Sequence, residues 1–110
     1  MESAFKIAFT VPEEYSEKLM DAINSVITPF FPEYERAFCI TKVIGTWKPL
    51  NGAHPFKGRI GEIEIVNELK IEFIIHEDDL KTVLRTIKEL HPYEEPAIDV
   101  IPCLEWRSIL

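Results

Sequence analysis

The sequence predicts an α+β fold in which two helices lie on one face of a mostly antiparallel sheet. Apolar residues alternate with polar ones in several short segments, as they do in strands, and recur at helical spacing in two longer segments. The resulting order is strand, helix, two or three strands, helix, strand, which is typical of a ferredoxin-like sandwich. At 110 residues with 46% hydrophobic content, the chain is expected to form one domain over 1–110, with its core at about 5–104.

The first half of the chain is expected to hold a strand, a helix and a second strand. Residues 5–11 place apolar side chains at every other position, which predicts the first strand. Pro12 and the acidic residues after it suit the first turn of a helix, and an apolar stripe continues this helix to Val26. Residues 37–44 are typical of a second strand, with Cys39 as a buried thiol.

The second half is expected to return to the sheet twice around another helix. Residues 60–66 alternate and predict a half-exposed strand, which a turn at Asn67–Glu68 is expected to connect to a further strand at 69–75. A helix is expected between 77 and 90, because acidic residues open it and basic residues follow, and His91–Pro92 ends it. The remaining predicted elements are a strand at 97–103 and a short tail at 104–110.

Composition excludes several classes of function. The net charge of −7 argues against a nucleic-acid surface, and no apolar run reaches the length of a membrane span. Cys39 and Cys103 match no metal or redox spacing, so both are predicted as buried free thiols, which favours the reducing cytoplasm. The residues after Met1 show no pattern of a secretory signal.

The charge is distributed unevenly, and the middle of the chain is basic. Between Arg36 and Gly61 there are five basic residues, all four glycines and no Asp or Glu. We call residues 45–59 of this window the basic loop. Its glycines allow backbone N–H groups to approach an anion, and Lys48, Lys57 and Arg59 add positive charge. No phosphate-binding fingerprint is present, and a solvated hairpin loop packed down by its aromatic residues is the alternative.

A second unusual segment, His91-Pro92-Tyr93-Glu94-Glu95-Pro96, follows the second helix, and we call it the HPYEEP corner. His91 suits a helix cap, where the dipole favours a protonated imidazole, but could also act as a base or a metal ligand. Tyr93 is expected to bury its ring and hydrogen-bond its hydroxyl. Glu94 and Glu95 could pair with the basic loop. The candidate ligand-binding or subunit-contact residues are therefore Lys48, His54, Lys57, Arg59, His91, Tyr93, Glu94 and Glu95.

Two separated motifs resemble a known family. The run from Gly45 to Gly61, with Gly-Thr-Trp-Lys-Pro-Leu, Gly-Ala-His-Pro-Phe and Gly-Arg-Ile-Gly, and the run from His91 to Val100 are similar to stand-alone relatives of the insert domain in NGG-interacting-factor-three-like dinuclear metal proteins. The resemblance covers about Phe5 to Leu104. It implies a ferredoxin-like domain similar to CutA and PII signalling proteins, which assemble as trimers. It also implies that the metal ligands of the large relatives lie in flanking domains.

Three functional hypotheses follow from the sequence. The leading one is a non-catalytic binding or regulatory module, assembled as a cytoplasmic homotrimer, in which the basic loop meets the HPYEEP corner at a subunit boundary. The second is a sensor of a small anion or nucleotide that uses the basic loop. The third is a metal-binding protein or metal-dependent hydrolase that uses His91, Glu94 and His54. No local motif supports an enzyme, and the sequence identifies no cofactor and no metal.

Overall fold

A computed structural model describes residues 4–110 and shows a four-stranded sheet with two helices. The N-terminal residues used to predict the absence of a secretory signal lie partly outside this range. The elements are β1 (Ala4–Pro12), α1 (Ser16–Val26), β2 (Cys39–Trp47), β3 (Glu64–His76), α2 (Leu80–Leu90) and β4 (Ile98–Cys103), with short 3-10 turns at Glu13–Tyr15, Glu77–Asp79 and Trp106–Ser108. The sheet order is β2-β3-β1-β4 with every pair antiparallel, which confirms the predicted ferredoxin-like fold.

The core lies between the helices and the two central strands. The core side chains of β1 and β3 occupy alternate positions, so they share the face against which α1 and α2 pack; they are Ile7, Phe9 and Val11 in β1, and Leu69, Ile71, Phe73 and Ile75 in β3. Each helix contributes an apolar stripe to the same layer. The central members of this core are Ile7, Phe9, Val11, Leu19, Ile23, Ile71, Phe73, Ile75, Val83 and Ile87.

The strands β2 and β3 each correct one expectation. The turn predicted at Asn67–Glu68 is wrong, because β3 runs without interruption from Glu64 to His76. Its first nine residues pair with β2 and its last nine with β1, so hydrogen bonds to a neighbouring strand hold the backbone extended through Asn67 and Glu68. The strand β2 also continues to Trp47, so the first three residues of the basic loop belong to a strand and the hairpin connection is residues 48–63.

The buried side of β3 changes along its length. Leu69 and the alternate residues after it face the helices, whereas Val66 and Glu68 are buried on the opposite side of the strand. The pairing is continuous through this point, so no bulge accounts for the change. A different part of the chain must therefore cover Glu68, which is 5% exposed.

The sheet face opposite the helices is polar at its centre. Glu72 on β3 lies 3.8 Å from the ammonium groups of both Lys6 and Lys70. Large exposed apolar side chains lie instead on the edge strands and on the part of β3 beyond β1, and they include Ile40, Ile44, Ile65, Val100 and Ile101. Further exposed apolar side chains lie outside the sheet, in the hairpin connection and in the C-terminal tail, and they include Ile63 and Leu104.

The two cysteines are free, but their predicted burial is wrong for Cys39, which is exposed, and only partly right for Cys103, which is half-buried. Both lie on edge strands, where no helix covers the side chain. No helix within residues 4–110 is long and apolar enough to cross a membrane.

Candidate functional site

The basic loop and the HPYEEP corner meet at one end of the sheet and line an open cavity of about 530 Å³. The corner joins the end of α2 to β4, and the last backbone bond of the helix runs from the His91 N–H to the Ile87 carbonyl at 2.8 Å. The loop comes from the β2–β3 hairpin. Both segments belong to the same chain, so their contact does not require a second subunit.

A buried polar network forms the base of this site. The Tyr93 hydroxyl donates a hydrogen bond of 2.6 Å to Oε2 of Glu68. The backbone N–H of Tyr93 donates to Nδ1 of His91 at 3.1 Å, and Nε2 of His91 lies 2.6 Å from the Thr10 carbonyl oxygen. Because Nδ1 accepts and a carbonyl can only accept, the proton of the neutral ring lies on Nε2. The network ties the corner to β1 and β3.

Burial determines the protonation of this network. It lowers the pKa of His91 below the ordinary value of 6.5, although the Thr10 carbonyl and the charge of Glu68 act in the opposite direction. The imidazole is therefore neutral, which corrects the expectation of a protonated helix cap. Burial also raises the pKa of Tyr93, and the hydrogen bond to Glu68 and its charge add to this effect. The phenol consequently remains a donor.

Gly45 makes room for the Glu68 carboxylate. A Cβ atom at Gly45 would lie 1.9 Å from Oε1 of Glu68, well inside van der Waals contact. Gly45 pairs with Val66, two residues before Glu68, so both positions lie on the same side of the hairpin. A glycine inside a strand often marks such a close approach, and this was the one sequence signal that could have indicated the buried carboxylate.

Aromatic rings form one wall of the cavity. The ring centroids of Trp47 and Tyr93 lie 5.1 Å apart, and those of Phe56 and Tyr93 lie 6.2 Å apart. Phe56 also makes an edge-to-face contact with Tyr15 at 5.8 Å, and the Trp47 indole N–H donates to the Lys57 carbonyl at 3.3 Å. These contacts confirm the expectation that Trp47 and Phe56 pack the loop down.

The structure places the predicted site residues in different roles. Lys48, Lys57, Tyr93, Glu94 and Glu95 line the cavity. His91 lies beneath it in the buried network, whereas Arg59 is exposed and is not part of the lining. His54 is exposed and contributes its backbone N–H, which donates to Oε1 of Glu94 at 3.0 Å. The sequence reasoning missed Glu68, Gly45 and Thr10.

The acidic side chains of the HPYEEP corner do not pair with basic side chains of the basic loop as predicted. Glu94 accepts from a backbone N–H rather than from a basic side chain, and the ammonium group of Lys57 lies 4.0 Å from Glu64 of β3. Aromatic packing and backbone hydrogen bonds therefore join loop and corner.

The residues proposed as metal ligands are not arranged as a ligand set. Within residues 4–110, no three or more His, Cys, Asp or Glu side chains are grouped so that they could hold a metal ion. Both ring nitrogens of His91 are engaged with backbone groups, and Glu94 is engaged with the backbone of His54.

Sequence comparison identifies relatives of this chain among longer proteins. The chain is 37% identical over 97 residues to the GTP cyclohydrolase 1 type 2 homolog of Bacillus subtilis, and 38% identical over 96 residues to that of Listeria monocytogenes. These matches span 88% and 86% of this chain but 26% of each relative. The chain thus spans about a quarter of the length of the curated relatives it matches. No family model matches the sequence.

Structure comparison gives the same relationship and the class of fold. A Bacillus cereus protein related to NIF3 superposes with a TM-score of 0.80 at 28% identity, over 94% of this chain and 26% of that one. CutA1 of Ehrlichia chaffeensis superposes with a TM-score of 0.67 at 18% identity, over 96% of this chain and 85% of that one, which shows a shared fold. The class is therefore a CutA-like α+β domain. Within this class, the chain is a relative of the insert domain of the NGG-interacting-factor-three-like (NIF3-like) proteins.

Proposed function

We propose that this chain is a non-catalytic binding or regulatory module that assembles as a homotrimer, with its ligand in the cavity between the basic loop and the HPYEEP corner. The observation that carries the proposal is the cavity itself, which is built on a buried polar network and walled by aromatic rings. Cavities of roughly 300–1,000 Å³ with few polar groups are typical of small-molecule sites. We place the module in the cytoplasm, because the two free cysteines suit a reducing compartment.

The chemistry of the site supports binding rather than catalysis. His91 is the only described histidine in the buried network, and both of its ring nitrogens hold backbone groups, so it has no free position with which to accept a substrate proton. Tyr93 has a raised pKa and donates to Glu68, so it is a poor general base. The name carried by the curated relatives belongs to proteins roughly four times as long.

The edges of the sheet support assembly. The strands β2 and β4 form the two edges and carry exposed apolar side chains such as Ile40 and Ile101. Unpaired edge strands readily pair with other chains. Contact between the β2 edge of one copy and the β4 edge of the next is heterologous, and such contacts form a ring when the rotation from copy to copy closes. The number three comes from the resemblance to trimeric CutA and PII proteins.

Light scattering of the purified protein tests the assembly. We expect a mass of three times the 12.8 kDa of one chain at micromolar concentration. The variant Ile101→Asp should lower this mass, because it places a charge on the β4 edge. Ile109→Asp, in the exposed tail, is the matched control and should leave the mass unchanged. A monomer in the unmodified protein would contradict the trimer.

A further inference from the structure

We propose that the ligand of this cavity is a small organic ammonium compound with a flat apolar body, held by Glu68 at the base and by Trp47 and Tyr93 at the wall. This inference rests on the proposed function, because it names the ligand class of the same cavity. The basic loop suggested an anionic ligand, whereas the charged groups that line the cavity favour a cationic one.

The base of the cavity is negatively charged. Glu68 is 5% exposed, and within residues 4–110 no Lys, Arg or His nitrogen lies within ion-pair distance of its carboxylate. Oε2 accepts from the neutral Tyr93 hydroxyl, and Oε1 lies against the backbone of Gly45. A buried carboxylate without a cationic partner is unfavourable, so a cation that enters the cavity gains more there than at the surface.

The charged groups nearer the rim add to this preference. Glu94 and Glu95 also line the cavity, so with Glu68 it contains three carboxylates. Two lysines line it, but Lys57 lies 4.0 Å from Glu64, which offsets its charge. An anionic ligand would have to approach the carboxylates against this excess of negative charge.

The aromatic wall selects in the same direction. The contact between Trp47 and Tyr93 continues to Phe56, which gives an apolar surface for a flat molecule. The faces of aromatic rings carry partial negative charge and attract ammonium groups. A ligand with a planar body and an ammonium group would therefore place each part against a complementary surface.

Three probes with the same ring and different charge test the inference. Tryptamine is cationic at neutral pH, 3-methylindole is neutral, and indole-3-propionate is anionic. Amide NMR titrations at millimolar probe concentration should show binding of tryptamine, with shifts at Glu68 and Tyr93. We expect 3-methylindole and indole-3-propionate to bind about tenfold more weakly or worse, as the loss of a charge-assisted hydrogen bond predicts.

Matched variants separate the two parts of the site. Glu68→Gln keeps an acceptor for Tyr93 but removes the charge, and it should weaken tryptamine about tenfold or more without affecting 3-methylindole. Glu72→Gln is the control, because it lies on the same side of the same strand but outside the lining. Trp47→Leu should weaken the binding of both tryptamine and 3-methylindole. Trp106→Leu, at the exposed second tryptophan, should weaken the binding of neither. If Glu68→Gln does not fold, Glu95→Gln at the rim should still weaken tryptamine selectively.

The outcomes distinguish this inference from the proposed function. Tighter binding of indole-3-propionate than of tryptamine would overturn the ammonium class and leave a binding module for anions. Failure of all three probes to bind would also overturn it, whereas the light-scattering mass would still decide the trimer. Tryptamine binding that is equally weakened by Glu72→Gln and Glu68→Gln would show attraction to surface charge and would overturn the assignment to Glu68.

Discussion

The helix-covered face of the sheet and its hairpin end exclude water in different ways. Under the helices, Ile71 and Ile75 are completely buried among other apolar side chains. At the hairpin end, Glu68 and His91 are 5% and 6% exposed, yet both are polar. The first region is stabilised by non-directional apolar burial, whereas the second depends on a few hydrogen bonds of defined geometry.

This difference explains why the site lies at the hairpin end. An apolar core tolerates many substitutions of similar volume, because its contacts have no direction. A buried polar network tolerates few, because each donor and acceptor that loses its partner keeps the full cost of its burial. The hydrogen bonds among Glu68, Tyr93 and His91 therefore fix the corner rigidly against the hairpin, and rigid polar groups are what a selective cavity requires.

The largest expected effect concerns the apolar region. We expect Ile71→Ala to lower the free energy of unfolding by about 2–5 kcal/mol, because it leaves a cavity in the core. Ile65→Ala is the matched control on the same strand, since Ile65 is 67% exposed, and its effect should stay within about 0.5 kcal/mol. Urea denaturation followed by circular dichroism measures both. Equal effects of the two variants would show that the helix layer is not the main source of stability.

The next effect concerns the boundary between hairpin and corner. Gly45→Ala places a methyl group where Oε1 of Glu68 lies, so the carboxylate must move and its bond to Tyr93 must lengthen. We expect a loss of about 1–3 kcal/mol in urea denaturation, as for other overpacked sites.

A double-mutant cycle identifies the cause of this loss. Glu68→Ala removes the clashing carboxylate, so Gly45→Ala should cost much less in that background. An unchanged cost would mean that the strain comes from the strand backbone rather than from Glu68.

A third effect isolates one hydrogen bond of the polar region. Tyr93→Phe removes the donor to Glu68 and leaves the buried carboxylate with one partner fewer. We expect a loss of about 1–3 kcal/mol in the free energy of unfolding. Tyr34→Phe, at a tyrosine that is 71% exposed, should have little effect. If the two variants are equally stable, the network contributes geometry without measurable stability.

The sequence predicted the apolar region well because its signal is periodic. Alternation over residues 5–11 and 69–75, and helical spacing over 77–90, identified both central strands and the second helix. The same logic failed at Glu68, because a glutamate before an apolar run is typical of a turn or a solvated edge. Its burial depends on Tyr93, which lies 25 residues away in sequence. Only Gly45 carried a local trace of that contact.

At the HPYEEP corner, too, the sequence predicted the local features but not those that depend on distant parts of the chain. The sequence predicted correctly that His91 ends the second helix and that Tyr93 hydrogen-bonds through its hydroxyl. It predicted the wrong charge for His91, since the dipole of α2 is a local property whereas burial against β1 is not. The basic loop suggested an anionic ligand for a similar reason. The carboxylate that opposes its charge belongs to Glu68 of β3, and only the fold brings the two together.

The smallest expected effect tests whether His91 is neutral in the folded protein. Its pKa is lowered on folding, so between that value and the ordinary 6.5 the unfolded chain binds a proton that the folded chain does not. Stability from this group is therefore complete above about pH 6.5 and decreases as the pH falls towards the folded-state pKa.

Urea denaturation between about pH 7 and pH 5.5 should show this decrease in the unmodified protein, with a smaller slope in His91→Gln, which keeps a donor for the Thr10 carbonyl. His54→Gln, which removes an exposed imidazole, is the matched control and should keep the slope of the unmodified protein. A slope that survives in His91→Gln would place the pH dependence elsewhere, and a rising stability at low pH would mean that the charge of Glu68 outweighs burial and that His91 is protonated in the fold.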